Sequence, residues 1–384
     1  MPVAQLRRRE RLRPAVAALG ADAALITSPA NVRYLSGLAS SNAALLVPAA
    51  SPATGTRTST STGASAATGA GATVLATDSR YAGTAREDCP DLEILIERFI
   101  EPALARVAAG LGIRRLAFEA HEMTVERYQA FAGAVPGTEL APLGRAVEEI
   151  RMAKDEQEIA LLARACEITS RAFEQVVPLI RPGVTERELA IALERAMTDL
   201  GADGLAFDTI VASGPNGAIP HHVPSARRFA AGDMITVDCG ARYQGYHADM
   251  TRTVVLGQPA PWQQDIYDLV AAAQAAGIEA AVPGADVRAV DAAARDLIEG
   301  AGHGAHFQHG LGHGVGLEVH EAPIMGYGRT GTLGDRVPIT VEPGIYLPGQ
   351  GGVRIEDTLV VRAGTETAAP QELLTTTTRE LLVL

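Results

Sequence analysis

Histidine is crowded into one quarter of this chain. His221, His222, His247, His303, His306, His309, His313 and His320 fall within 100 residues, and only His121 lies outside them. Acids frame the cluster. Met234-Ile-Thr-Val-Asp238-Cys-Gly240 reads as a strand ending in a carboxylate, and His247-Ala-Asp249-Met-Thr-Arg-Thr253 as the strand that returns. The two acids are 11 residues apart in a hairpin-like unit, where cross-strand neighbours approach to about 5 Å. Two ionised carboxylates that close repel, and one takes up a proton unless a cation lies between them. A carboxylate acid/base dyad is one answer to that repulsion. A bridged pair of divalent ions is the other.

Further donors follow. His309-Gly-Leu-Gly-His313-Gly-Val-Gly surrounds imidazole with glycine, which lets backbone approach a ligand closely. Ile339-Thr-Val-Glu342-Pro-Gly344 reads as a strand ending in Glu at a turn. Val353 to Val361 reads as one strand, with Arg354 and Glu356 on the same face by the period of two. Asp238, Asp249, His313, Glu342 and Glu356 together supply four carboxylates and one imidazole, whose charge balances two divalent cations. Oxygen-rich ligation with one nitrogen suits Mn²⁺ or Co²⁺ better than a structural zinc. Acids set among apolar strand residues are poorly placed to be solvated surface charges.

The elements that must hold these residues are legible in outline. The chain has 384 residues, 33 basic against 45 acidic, and a net charge of −12. That balance is no footprint for nucleic acid or an anionic membrane. Cys89, Cys166 and Cys239 are too scattered for a disulfide framework or a cysteine zinc site. No apolar run is long enough for a membrane span, the arginine-rich start lacks a signal-peptide pattern, and a cytoplasmic protein is expected. Lys154 is the only lysine, with no motif around it.

Residues 1–145 alternate helical stretches (Leu12–Leu19, Ile100–Ala109) with strand-like ones (Ala23–Thr27, Ala44–Val47, Thr73–Ala76, Glu93–Ile96, Leu116–Glu119), as in a small α/β domain. Ser, Thr, Gly and Ala crowd residues 50–72, a flexible hairpin-tip insertion. Residues 150–384 form the second domain. It opens on a helix over Asp155–Ile180, and a capping box at Thr185 and Glu188 starts the next helix, which stops at Gly201. Pro182-Gly183 with Arg187 recurs as Pro283-Gly284 with Arg288, offset by 101 residues. Two related halves about a pseudo-twofold axis would produce that echo, as would chance likeness of two amphipathic helices.

The run Ser213-Gly-Pro-Asn216, Pro220-His221, Gly232-Asp233, Asp238-Cys-Gly and Tyr246-His-Ala-Asp249-Met-Thr-Arg-Thr253 resembles the creatinase/methionine-aminopeptidase superfamily of the pita-bread fold. So do His309-Gly-Leu-Gly-His313, Val319-His320-Glu321, Glu342-Pro-Gly-Ile-Tyr346 and Arg354-Ile-Glu356-Asp, all in order over about Lys154 to Val361. The first segment, with Asn31-Val-Arg-Tyr-Leu-Ser-Gly37, resembles the extra domain of the branch of Xaa-Pro dipeptidases (prolidases) and aminopeptidase P.

The resemblance implies a small α/β domain followed by an α+β pita-bread catalytic domain with internal pseudo-twofold symmetry. It implies two divalent ions, Mn²⁺ or Co²⁺ first and Zn²⁺ or Fe²⁺ next. Asp249 and Glu356 would bridge them, Asp238 would complete one, and His313 with Glu342 the other. The ions would acidify the attacking water, with Glu342 as general base. His221 and His320 would polarise the peptide carbonyl, and His222 and His309 would contact substrate; Arg354 could reach a substrate carboxylate or, the favoured role, support the site by pairing with a nearby acid. Which of His221 and His222 faces the substrate stays open. The expected substrates are proline-containing dipeptides or short peptides, cleaved before proline by a homodimer, with dipeptidase favoured over aminopeptidase P. A non-catalytic peptide-binding relative and a creatinase-like C–N hydrolase, both branches without the metal carboxylates, are the remaining readings.

Overall fold

The computed structural model describes residues 2–50, 71–364 and 369–384. They divide into two compact units, Met1–Arg151 and Met152–Leu384. The first unit runs α1 (Pro2–Ala18), β1 (Ala23–Ile26), α2 (Pro29–Ser36), β2 (Ala43–Pro48), β3 (Val74–Thr77), α3 (Ala82–Asp88), β4 (Glu93–Ile96), α4 (Ile100–Gly110), β5 (Arg115–Phe118), α5 (Val125–Ala134), β6 (Glu139–Pro142) and α6 (Ala146–Met152). Its six strands make one mixed sheet, ordered β4-β3-β2-β1-β5-β6. Leu25, Leu46 and Val74 from the strands bury against Ile100, Leu104 and Ala108, spaced along one stripe of α4. Of the expected insertion over 50–72, residues 51–70 lie outside the described residues. The segment joins β2 and β3, which pair antiparallel.

The second unit opens on α7 (Glu156–Val176) and α8 (Glu186–Asp199), followed by β7 (Gly204–Leu205), β8 (Ile210–Ser213), β9 (Met234–Cys239), β10 (Ala241–Tyr243), β11 (Tyr246–His247) and β12 (Met250–Val255). Then come α9 (Pro261–Ala280), α10 (Val287–Gly300), β13 (Gly312–Gly314), β14 (Glu321–Met325), β15 (Val337–Val341), β16 (Gly344–Leu347), β17 (Gly351–Arg354), β18 (Asp357–Val361) and β19 (Gln371–Leu373). Asp155 caps α7 and Thr185 caps α8, each within a capping box closed by Glu158 or Glu188. Phe173, Leu189 and Leu193 of this helix pair bury against Val211, Ile235 and Val254 of the sheet β12-β9-β8. Val270, Val290 and Ala294 of α9 and α10 bury in the same manner against Ile339, Val341 and Leu359 of the sheet β14-β13-β15-β18-β19.

The echo in the sequence is an echo in the structure. Gly183 and Gly284 sit at the turns of the two helix pairs with φ of 92° and 86°, a region that disfavours any side chain. The amide of Gly183 donates to Phe229 O, and that of Gly284 to Leu333 O. Two residues on, Thr185 and Asp286 cap α8 and α10 and form isolated bridges to Arg228 and Thr332.

Two local expectations are corrected. Asp238 does not face Asp249 across the hairpin. Its partner is Thr251, and Asp249 precedes β12, because the chain spends the short strands β10 and β11 on the connection. The single strand expected over Val353–Val361 is two strands in different sheets, β17 paired with β16 and β18 paired with β15. The chain crosses between sheets at Ile355 and Glu356, where the Glu356 amide donates to Thr251 O at 3.1 Å.

Candidate active site

Each candidate ligand stands at a strand end or a break, where side chains from several strands converge. Asp238 lies on β9, Asp249 just before β12, His313 within β13, Glu342 just after β15, and Glu356 between β17 and β18. One donor atom each from Asp249, His313 and Glu356 lies within 4.8 Å of the others, and all three residues are buried. His313 Nε2 is 3.6 Å from Asp249 Oδ2 and 3.4 Å from Glu342 Oε1. The ring is aimed by its other nitrogen, Nδ1, which contacts Gly314 O at 3.0 Å. Glycine beside it is required by space, since a Cβ at Gly312 would lie 2.1 Å from Thr340 O and one at Gly314 2.2 Å from Ala322 O.

The electrostatics call for a cation. Burial, then the neighbouring carboxylates, push Asp249 and Glu356 well above the usual carboxylate range. Glu342 is pushed up to about 8, again mainly by burial. Arg354 is the one cationic side chain set among these acids in the described residues, and it is bound to Asp238 at 2.7 Å. Asp238 Oδ1 and Glu356 Oε1 are buried with no hydrogen-bond partner, which native interiors rarely tolerate. Buried, unpartnered carboxylate oxygens beside a neutral imidazole fit divalent metal ions as ligands.

Arg354 is engaged by the site's own side chains, the arrangement expected of a supporting residue. It is buried, and its Nε donates to Thr251 Oγ1 at 3.0 Å, Nη1 to Tyr346 Oη at 2.8 Å and Nη2 to Asp238 Oδ2 at 2.7 Å. Thr251 Oγ1 in turn donates to Glu356 Oε2 at 2.7 Å. His309 joins the same network, its Nε2 2.9 Å from Tyr346 Oη, and burial with nearby Arg354 pushes its pKa down to about 4.

His221 and His320 are the imidazoles here that open to solvent. The His320 ring meets the His313 ring edge-on, centroids 4.4 Å apart. Partial burial and the neighbouring His221 lower its pKa. The residue after each is tied down. His222 Nε2 lies 2.8 Å from Glu186 Oε2, and Glu321 Oε2 accepts from Lys154 Nζ at 2.7 Å in a buried pair. His222 is thus engaged by Glu186, while His221 beside it is exposed. Thr251, Glu321 and Tyr346 stand in the sequence motifs, and Glu186 in the capping run after Thr185, but only the fold shows which partners they bind.

The model of metallopeptidase family M24 matches residues 160–363, and that of the creatinase/prolidase N-terminal domain matches residues 8–153. The chain belongs to metallopeptidase family M24. Among M24 relatives, an uncharacterised peptidase of Bacillus subtilis is 37% identical over 95% of this chain and 99% of its own length. The Xaa-Pro dipeptidase of Pyrococcus furiosus is 45% identical over 62% of this chain and 66% of that protein. Among solved M24 structures, the Xaa-Pro dipeptidase from Bacillus anthracis superposes with a TM-score of 0.89 at 35% identity, covering 99% of this chain and 100% of that one. The X-Pro aminopeptidase from Thermotoga maritima reaches 0.84 at 35% identity, covering 98% and 99%. The expected fold, a creatinase-type N-terminal domain followed by a pita-bread catalytic domain, and the expected peptidase class both hold. None of the described helices is long and apolar enough to cross a membrane.

Proposed function

We propose that this M24 peptidase hydrolyses Xaa-Pro dipeptides at a centre of two divalent ions. The observation that carries the reading is the buried set Asp238, Asp249, His313, Glu342 and Glu356 with two unpartnered carboxylate oxygens. Asp238, Asp249, His313, Glu342 and Glu356 would hold the ions between them, the ligand set that the family resemblance implies. Bound ions supply Lewis acidity and lower the pKa of water to near neutrality. The donor set favours Mn²⁺ or Co²⁺, with Zn²⁺ or Fe²⁺ next.

The side chains do the rest. Glu342 would take up the proton of the attacking water as general base, the role the family resemblance implies. His221 and His320, exposed beside the acids, hold the carbonyl oxygen as charge develops on it. Arg354 fixes Asp238 and, through Tyr346, the neutral His309 that lines the substrate space. Proline at the second position gives an amide without N–H, so a site that needs no such donor can select it. We assign the chain to the cytoplasm, whose reducing conditions fit three scattered cysteines, and to a homodimer as the family resemblance implies.

The test is a hydrolysis panel of Ala-Pro, Leu-Pro, Ala-Ala, Leu-Gly and Ala-Pro-Ala with added Mn²⁺, Co²⁺ or Zn²⁺. Ala-Pro should be cleaved far faster than Ala-Ala. Values of kcat/KM within tenfold of each other would reject proline selection. A clear preference for Ala-Pro-Ala would keep the chemistry and make the enzyme an aminopeptidase P.

A further inference from the structure

The chain between Ser213 and Ser225 carries His221 yet holds no strand, only a single 3-10 turn at Gly214–Ala218. A loop built that way needs external anchors to hold one imidazole against a reacting carbonyl. The anchors lie on two sides. On one, Gly217 packs against β17 so closely that a Cβ on Gly352 would lie 2.2 Å from Gly217 O, and Pro220 O accepts from Arg354 Nη1 at 3.4 Å. On the other stands Glu186, the first residue of α8, with no exposed surface.

Glu186 gathers six contacts from that loop. Its Oε1 accepts from Ser213 N at 2.8 Å, Ser213 Oγ at 2.7 Å and Asn216 Nδ2 at 2.9 Å. Its Oε2 accepts from His222 Nε2 at 2.8 Å, Ser225 N at 3.0 Å and Ser225 Oγ at 2.6 Å. Burial pushes its pKa up, but these bonds from Ser225, Ser213, Asn216 and His222 outweigh burial and leave it at about 2. Both chain neighbours of His221 are thus held, Pro220 by Arg354 and His222 by Glu186, while His221 itself is exposed.

We propose that Glu186 and His222 are positioning residues that fix His221 toward the scissile carbonyl. The pair acts through His221, so the proposal rests on the reading of His221 given above. Neither residue touches the substrate. An imidazole at position 222 is a donor on a short, stiff arm, and a side chain with an amide N–H of similar reach should replace it.

The test uses the metal-loaded full chain on Ala-Pro. His222→Ala should lower kcat about tenfold, the scale of a small misplacement, with KM and bound metal unchanged and the protein still folded at the assay temperature. His222→Gln, which keeps a donor for Glu186 Oε2, should restore most of the loss. In a His221→Ala background, His222→Ala should cost nothing further, because residues that act as one unit are not additive. A kcat for His222→Ala within twofold of wild type would overturn the proposal. So would His222→Gln no better than Ala, or additive losses beside a large effect of His221→Ala. If His221→Ala itself left kcat intact, the reading of His221 would fail, and the proposal with it.

Discussion

At the scale of single residues, carboxylates that bind metal and imidazoles that face the substrate should separate in experiment. Glu356 is buried between two strands, with one oxygen held by Thr251 and the other without a partner. Glu356→Gln removes the charge but keeps the shape and the Thr251 contact. It should lose bound metal and activity together. His320 touches His313 only through the ring edge and opens to solvent. His320→Ala should keep its metal and lose about 10²-fold in kcat, the usual scale for one oxyanion donor. Elemental analysis beside steady-state kinetics decides it. Metal lost from His320→Ala and kept by Glu356→Gln would invert the two roles.

At the scale of elements, Glu186 links α8 to the loop after β8. Its folded pKa of about 2 lies below the value near 4.3 of an unfolded chain. A depressed carboxylate stabilises the fold above the unfolded value, and that contribution is lost as pH falls from about 4.3 toward 2. Glu186→Gln should cost on the order of 2 kcal/mol at pH 7, the scale of hydrogen bonds to a charged group. It should also flatten the acid limb of a denaturation series. A variant whose acid limb matches wild type would show that the carboxylate is not held as drawn. Sequence gave little warning of this residue, because an acid in the first turn of a helix is explained by the helix dipole alone. The candidate ligands are legible for the opposite reason, as acids among buried strand residues are costly without a partner. Helix starts at Asp155 and Thr185 were legible too, since capping is local. The break at Ile355 and Glu356 was not. Val353, Ile355, Leu359 and Val361 share one phase of an apolar alternation that Asp357 alone interrupts, and only tertiary packing decides that β17 and β18 join different sheets.

At the scale of the molecule, the two related halves divide the donors. Asp238 and Asp249 come from the half built on α7 and α8, and His313, Glu342 and Glu356 from the half built on α9 and α10. The acids therefore meet where two cores meet, and without a cation their repulsion and burial are relieved by taking up protons. Arg354 is paired with Asp238 alone, so the other three carboxyl groups lack a cationic partner of their own. Ions bound there would join the halves, and ligands that bind only the folded state stabilise it by mass action. At a free metal concentration of about 100 times Kd, one site contributes about 2.7 kcal/mol. For a unit of this size that raises the melting temperature by roughly 5–10 °C. Chelated protein titrated with Mn²⁺ should thus rise in melting temperature, saturate at about two ions per chain, and fall back on adding chelator. Glu356→Gln should show a much smaller rise. A melting temperature independent of metal, with stoichiometric ions still bound, would mean that the unfolded chain holds the ions as tightly as the folded one and that folding builds no dedicated site for them.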